Sequence, residues 1–181
     1  MSRQSARTRI LDALEELLLT EGDRAATLDA VAAAAGVSKG GLLYHFGSRE
    51  ALGEGLVERF RELGRRELEE MAQAPEGASS YYLRISGVAD TAFDRTLVAA
   101  LKLVGPAADH IREAFSTLQR GWFDQVNAEV GDPAVAQVIM LLGDGMYYNA
   151  SLHGHYLGVP EIATEDGFAA VLAVVDRLKT R

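Results

Sequence analysis

The chain has 181 residues, 48% of them hydrophobic, and carries 18 Lys and Arg residues against 26 Asp and Glu residues, a formal net charge of −8. This length allows one domain, or a small and a larger helical unit that share a long helix. Because there is no cysteine, disulfide bonds and thiolate metal sites are excluded. The first apolar run, residues 17–19, is too short for a signal sequence or a membrane span, so we expect a cytoplasmic protein without membrane contact.

The acidic charge is unevenly distributed along the chain. Residues 1–50 hold six basic and seven acidic side chains, whereas residues 51–181 hold twelve and nineteen. A net negative charge by itself argues against a nucleic-acid partner. Most of the acidity, however, lies outside the first fifty residues, and basic side chains there flank the ends of the predicted helices. A local basic face on an acidic protein is therefore compatible with the sequence.

Hydrophobic residues recur at helical spacing through the first seventy residues. This pattern predicts helices over residues 6–21, 27–35, 38–46 and 48–71. Three of the predicted starts carry a residue that favours a helix N-cap: Thr27, Ser38 and Ser48. Three of the predicted ends are followed by a glycine that favours a chain reversal: Gly22, Gly36 and Gly47.

The remaining sequence also has apolar spacing near 3.6 residues, and no stretch alternates as a strand does. Its four prolines fall where helices are expected to break. The pattern predicts further helices over residues 79–89, 91–104, 106–130, 133–153 and 165–179. The predicted fold class is therefore all-α.

Two short helices joined by a Gly-x-Ser turn predict a helix-turn-helix, the unit that places its second helix in a DNA major groove. In the second helix, Leu42 and Phe46 stand four residues apart and are expected to face the core. The other positions of this helix are expected to face solvent or a partner: Lys39, Gly40, Gly41, Tyr44 and His45. A glycine inside a helix costs about 1 kcal/mol relative to alanine. Close approach of the helix N-terminus to bases and phosphates explains why two occur here.

The stretch "TLDAVAAAAGVSKGGLLYHFGSREAL" resembles the N-terminal domain of TetR-family transcriptional regulators, and the resemblance covers about residues 8–55. The usual family pattern runs from a capping Thr through A-G-V-S-x-G-x-L-Y-x-x-F to S-K-E-x-L. This chain departs from it at Leu43, where the family most often has Tyr, and at Gly47, which replaces a common Pro. The segments "GLLYHF" and "LLGDGMYYNA" are similar to a subgroup that includes multidrug-sensing repressors.

The resemblance implies a helix-turn-helix domain at residues 1–50, joined by a long helix to a helical ligand-binding and dimerisation domain at residues 51–181. It also implies that the following residues occupy positions that contact DNA in the family: Thr27, Lys39, Tyr44, His45 and Arg49. Ser38, Gly40 and Gly41 complete the predicted DNA-binding set at the start of the second helix. We expect Thr27 and Arg49 to contact phosphate, and Lys39 and Tyr44 to read base edges. Taken alone, Lys39 and Arg49 also fit solvated charges, and Tyr44 and His45 also fit amphipathic side chains that are half packed in the bundle.

A single helix-turn-helix buries too little DNA to be selective, so we expect a homodimer that reads two half-sites of a palindromic operator. Residues 134–150 combine apolar side chains with Gly143 and Gly145, and residues 168–178 carry an apolar face. The family resemblance implies a four-helix dimer interface formed by these two segments. Packing within one chain is the alternative that the spacing leaves open.

Aromatic residues accumulate between residues 93 and 148, and most aromatic side chains in a helical protein belong to its core. Asp144 and Asn149 nevertheless interrupt the apolar run "VIMLLGDGMYYNAS", where a buried carboxylate needs a partner, water or a ligand. We hypothesise a site for a lipophilic aromatic effector, with cations among the candidates. Its predicted lining is Phe93, Phe115, Leu118, Trp122, Met140, Tyr147 and Tyr148, with Asp144 or Asn149 as polar anchors.

Other classes of function have weaker support. His153 and His155 form an H-x-H pair, but this spacing suits ligands on a strand, so no metal and no other cofactor is expected. The sequence has no nucleophile–histidine set, phosphate loop or HExxH motif, which argues against an enzyme. The leading interpretation is a ligand-responsive dimeric transcriptional repressor. The alternative is a DNA-binding protein without an effector, whose aromatic residues fill its core.

Overall fold

The computed structural model describes residues 5–151 and 164–179, and every regular element within these ranges is a helix. This confirms the all-α class predicted from the hydrophobic spacing. The helices are α1 (Ala6–Thr20), α2 (Leu28–Ala34), α3 (Lys39–Phe46), α4 (Arg49–Ala72), α5 (Ala78–Ser86), α6 (Ala92–Ala100), α7 (Pro106–Val130), α8 (Pro133–Ser151) and α9 (Glu165–Lys179).

The predicted helix boundaries in the first fifty residues are confirmed by their caps. The side chains of Thr27, Ser38 and Ser48 each accept a hydrogen bond from the backbone N–H three residues further on, at 3.2, 3.0 and 3.1 Å. The chain then reverses after α1, α2 and α3 at glycines with positive φ: Gly22, Gly36 and Gly47. Local capping chemistry thus fixes where α2 and α3 begin, and so sets the geometry of the turn between them.

Two helices end earlier than the hydrophobic spacing predicts. After α5 ends at Ser86, the chain reaches Asp90, whose φ of 68° lies outside the helical region. After α6 ends at Ala100, the N–H groups of Lys102 and Leu103 donate to carbonyls three residues back, both at 3.1 Å. Apolar residues continue beyond both ends, so periodicity alone overestimates the two helices.

The described chain divides into two compact units. The first consists of Met1–Gly64 and Ala92–Ser116, and the second of Arg65–Thr91 and Thr117–Arg181. The predicted division into domains at residue 50 stays a prediction. In the first unit α1 packs against α2, α3 and α6. Its fully buried side chains include Ile10, Leu11, Leu14, Leu18, Leu42, Leu52, Leu56 and Phe60.

Helix α3 is held close to α4 by the absence of a side chain at Gly55. A Cβ atom on Gly55 would lie 2.5 Å from Cε1 of Phe46 and 3.4 Å from Cδ2 of Leu11. Phe46, at the last position of α3, is only 5% exposed. The buried face of α3 is therefore fixed against α1 and α4, which leaves its opposite face exposed.

A partly buried polar network connects three helices of the first unit. The Arg59 guanidinium on α4 donates hydrogen bonds to Asp12 Oδ1 at 2.7 Å, Glu15 Oε1 at 3.0 Å and the Thr8 carbonyl at 3.1 Å, all on α1. The Thr96 hydroxyl on α6 donates to Glu15 Oε1 at 2.7 Å. Glu15 is only 8% exposed, so these donors replace the hydrogen bonds to water that its carboxylate loses on burial.

In the second unit, α5 and α8 approach each other closely at Gly143. A Cβ atom on Gly143 would lie 2.3 Å from Cε1 of Tyr82 and 2.9 Å from Oγ of Ser86, both on α5. For Gly143 the sequence left two explanations open, a dimer interface and packing within one chain. Its contacts support packing within one chain, whereas Gly145 has no atom within 4 Å of an added Cβ.

Gly143→Ala is expected to lower the free energy of unfolding by about 1–3 kcal/mol, because Tyr82 is buried and its ring must move to admit the new methyl group. Urea denaturation measures the change. As a control, Tyr82→Leu combined with Gly143→Ala should lose less stability than the sum of the two single losses. Strict additivity of the two losses would contradict the proposed clash.

The start of α5 is anchored by Glu129 of α7. One carboxylate oxygen of Glu129 accepts hydrogen bonds from the backbone N–H and the hydroxyl of Ser79, at 2.6 and 2.9 Å. The other accepts from Lys179 of α9 at 2.8 Å. Although partial burial alone favours the neutral acid, the hydrogen bonds from Lys179 and Ser79 hold the pKa of Glu129 below its ordinary value. This carboxylate thus joins α5, α7 and α9.

Candidate nucleic-acid interface

The exposed face of α3 carries the side chains that the sequence assigns to DNA. Leu42 and Phe46 are buried, as their spacing predicts, whereas Lys39, Tyr44 and His45 are exposed. Tyr44 is 87% exposed, and its ring meets the ring of His45 edge to face at a centroid distance of 5.3 Å. An aromatic ring exposed to this extent is consistent with a contact outside the chain.

The two glycines of α3 differ in the space around them. A Cβ atom on Gly41 would lie 3.2 Å from Oγ of Ser38, whereas one on Gly40 would lie 4.0 Å from the same atom. Gly40 is exposed, and neither its packing nor a positive φ requires glycine. The packing thus gives no reason for Gly40, and the approach of a DNA backbone at this position stays a prediction.

Gly40→Ala is expected to leave the fold intact or stabilise it by up to about 1 kcal/mol, because alanine favours a helix and has space here. The same methyl group should weaken binding to duplex DNA, since it would stand between the α3 backbone and the phosphates. Thermal unfolding and DNA titration measure the two effects. A variant that binds DNA as tightly as the parent chain would show that the backbone does not approach DNA at this position.

The two cations of the predicted DNA-binding set are paired with aspartates of the same unit. Lys39 Nζ lies 2.9 Å from Asp29 Oδ2, with side chains 53% and 72% exposed. Arg49 Nη2 lies 2.6 Å from Asp23 Oδ1, and these side chains are only 26% and 19% exposed. Sequence reasoning missed both aspartates. The position of Asp29 in the first turn of α2 was the available signal for one of them.

Thr27 and Ser38 stand at the exposed starts of α2 and α3. Each hydroxyl oxygen already accepts a backbone N–H as an N-cap. Each hydroxyl hydrogen can still be donated, and a phosphate oxygen is a suitable acceptor. The capping role and the predicted phosphate contact are therefore compatible at both residues.

The residues predicted to line an effector site fall in both units. Phe93 and Phe115 lie in the first unit, where their rings are 5.3 and 6.3 Å from the ring of buried Phe60. The seven others lie in the second unit. Of these, Leu118, Trp122 and Met140 are buried, Tyr147 and Asn149 are partly exposed, and Asp144 and Tyr148 are exposed.

The carboxylate of Asp144 is not buried, which corrects the expectation drawn from its apolar surroundings in the sequence. Residue Asp144 is exposed, and its Oδ1 accepts a hydrogen bond from the Tyr82 hydroxyl at 2.9 Å. The ring of Tyr82 in turn lies 5.6 Å from that of Trp122. Burial and the neighbouring Asp144 carboxylate raise the pKa of Tyr82, so this phenol stays protonated. Sequence reasoning missed Tyr82, because its partner is 62 residues away.

His153 and His155 lie outside the described residues. Among residues 5–151 and 164–179, no group of three or more histidine or acidic side chains is placed to hold a metal ion. None of the described helices combines the length and the apolar character needed to span a membrane.

Comparisons with known proteins identify this architecture. Residues 10–56 match the family model "Bacterial regulatory proteins, tetR family", and no curated protein matches the chain. The fold is similar to that of NalD, the secondary repressor of the MexAB-OprM multidrug efflux pump in Pseudomonas aeruginosa. Its TM-score is 0.67 at 17% identity, with 95% of this chain and 94% of NalD covered.

Two further solved structures share the fold. A putative TetR-family regulator from Rhodococcus sp. has a TM-score of 0.66 at 19% identity, over 97% of this chain and 100% of its own. The multidrug binding protein EbrR, complexed with imidazole, has a TM-score of 0.59 at 20% identity, over 97% and 96%. The matched family model spans α2 and α3, and that family comprises regulators rather than enzymes. Residues 10–56, which include α2 and α3, therefore form an N-terminal domain of the TetR family of bacterial regulatory proteins.

Proposed function

We propose that this regulator is a homodimeric repressor that binds a palindromic operator and is released by a lipophilic small molecule. The observation that carries the proposal is an exposed apolar stripe on α8. The stripe is made of residues spaced alternately four and three apart: Ala134, Val138, Leu141, Gly145 and Tyr148. Val138, Leu141 and Tyr148 are 51%, 63% and 54% exposed. This spacing is that of a helix–helix seam.

A second copy of the chain is the partner that fits such a stripe. A two-fold axis brings α8 of both protomers together, so the stripe of one protomer packs against the same stripe of the other. The dimer then presents two copies of α3, as two half-sites of a palindrome require. The small side chains of Ala134 and Gly145 permit close approach of the two helices.

The dimer proposal is tested with Leu141→Glu, which places a charge in the middle of the α8 stripe. We expect this variant to sediment as a monomer and to lose operator affinity while its helical content is unchanged. Val104→Glu is the matched control, because Val104 is 67% exposed and lies outside α8. A dimeric, operator-binding Leu141→Glu protein would rule out this interface.

The operator is found by selecting duplexes that the protein retains from a random pool and sequencing them. A palindrome with half-sites about one helical turn apart is the expected product. Placing the recovered sequence in front of a reporter gene then determines the sign of regulation. Recovery of single, unpaired half-sites would contradict a symmetric dimer.

The effector proposal rests on the Tyr82, Trp122 and Asp144 cluster of the second unit. Aromatic faces beside a carboxylate favour lipophilic aromatic compounds and organic cations. NalD is described as a repressor of a multidrug efflux pump and EbrR as a multidrug binding protein, which supports an effector of this class for a chain of the same fold. The competing hypothesis, a regulator without an effector, is favoured by the burial of Leu118, Trp122 and Met140.

The two hypotheses are separated by the fluorescence of Trp122, the only tryptophan in the chain. A panel of lipophilic cations and neutral aromatic compounds is titrated into the protein, and each compound that changes the emission is then tested for release of the operator. A compound that does both supports ligand-responsive repression. A panel with no fluorescence change and no operator release would favour the effector-independent regulator.

A further inference from the structure

The Lys39–Asp29 ion pair joins the two helices of the helix-turn-helix. Asp29 lies in the first turn of α2 and Lys39 at the first position of α3. Their charged atoms are 2.9 Å apart, yet both side chains remain more than half exposed. An ammonium group has three donors, so one hydrogen bond to Asp29 leaves two that can reach another acceptor.

We propose that Asp29 is a positioning residue for DNA recognition. Its ion pair holds the Lys39 ammonium so that Lys39 contacts base edges and not the phosphate backbone. The inference rests on the proposed base contact of Lys39. Lysine carries a compact charge on a flexible stem and binds phosphate readily wherever it can reach one. A tether limits that reach, and phosphate contacts supply most of the affinity for DNA of unrelated sequence.

The second ion pair of this surface has a different character. Arg49 and Asp23 are closer, at 2.6 Å, and both side chains are partly buried. A guanidinium has five donors, so Arg49 can retain its ion pair with Asp23 and still donate a hydrogen bond to a phosphate from a fixed position. The exposed pair is the weaker of the two, because exposed ion pairs contribute little to stability. Asp29 can therefore be changed with little effect on folding.

The tether predicts a loss of discrimination when Asp29 is replaced. In Asp29→Asn the freed Lys39 can swing to a phosphate, so binding to random duplex should tighten about two- to fivefold, with a salt dependence steeper by about one phosphate contact. Operator affinity should stay the same or weaken slightly. The ratio of random to operator dissociation constants should therefore fall.

Three further variants separate this effect from others. Asp109→Asn removes one negative charge from another exposed ion pair, with Arg112, and should leave the ratio unchanged. Asp29→Glu keeps a carboxylate and should retain most of the discrimination. In a Lys39→Ala background, Asp29→Asn should no longer change the ratio, since the tethered group is absent.

The experiment measures operator and random duplexes over a salt series with all of these variants. A parent chain that prefers the operator supports the tether if the ratio falls in Asp29→Asn but is largely kept in Asp29→Glu and unchanged in Asp109→Asn. Equal tightening on both duplexes, or an equal effect of Asp109→Asn, would overturn it and leave the proposed operator binding intact. If Lys39→Ala bound the operator as tightly as the parent chain, both the tether and the proposed base contact of Lys39 would be overturned.

Discussion

Replacing Arg59 with methionine is expected to lower the free energy of unfolding by about 3–5 kcal/mol, the range for removing one partner of a buried ion pair. Glu15 is the reason: it is 8% exposed and would keep only the Thr96 hydroxyl among its named donors. Asp12 and the Thr8 carbonyl would lose hydrogen bonds as well. Small domains are stable by about 5–15 kcal/mol, so this loss takes a large share. Urea denaturation followed by circular dichroism measures it.

Arg61→Met is the matched control for this prediction. Arg61 lies one half-turn further along α4, is 42% exposed, and pairs with Glu58 on the surface at 3.4 Å. Its replacement should change stability by less than about 0.5 kcal/mol. Combining Arg59→Met with Glu15→Leu should recover part of the loss, because no buried carboxylate is then left without its cation. Equal small losses for Arg59→Met and Arg61→Met would show that the buried network contributes little.

Tyr44→Ala and Lys39→Ala are each expected to weaken operator binding by on the order of 1–3 kcal/mol, while the fold stays intact. Tyr44 is 87% exposed, so its removal costs no core packing. Lys39 gives up only an exposed ion pair. Since both residues are proposed to read base edges, the loss should be larger on the operator than on random duplex. Fluorescence anisotropy with labelled duplexes measures both affinities.

Lys102→Ala is the control for Lys39→Ala. It also removes one lysine charge from the first unit, and Lys102 donates to the backbone carbonyl of Leu19, at the other end of α1 from its capped start. Operator affinity should change little in this variant. If Lys39→Ala and Tyr44→Ala each weakened binding to operator and to random duplex by the same factor, these two residues would contribute only general affinity.

The sequence was sufficient to predict the parts of the fold that local chemistry determines. The starts of α2 and α3 follow from Thr27 and Ser38, whose side chains cap backbone N–H groups within three residues. The buried face of α3 follows from Leu42 and Phe46 at helical spacing. Each of these features depends on residues within one or two helical turns, which is the range over which sequence patterns carry information.

Features that depend on distant residues were not predictable in this way. Arg59 and Glu15 are 44 residues apart, and Tyr82 and Asp144 are 62 apart. Nothing in the local sequence distinguishes Glu15 from a surface acid of an amphipathic helix. The apolar run around Asp144 likewise led us to expect a buried carboxylate, because the sequence does not show which side of the helix faces solvent. In the structure Asp144 is exposed. The DNA-contacting and effector-binding roles stay predictions.

The close approach of Phe46 to Gly55 has a consequence for the evolution of this regulator. The aromatic ring at the end of α3 occupies the space that a side chain at position 55 would need. We therefore expect these two positions to change together among descendants of a common ancestor: an alanine at 55 should be accompanied by a smaller residue at 46. Exposed Tyr44 and His45 of α3 have no such packing constraint, so the residues proposed to contact DNA can diverge between lineages while the packing beneath the helix is conserved.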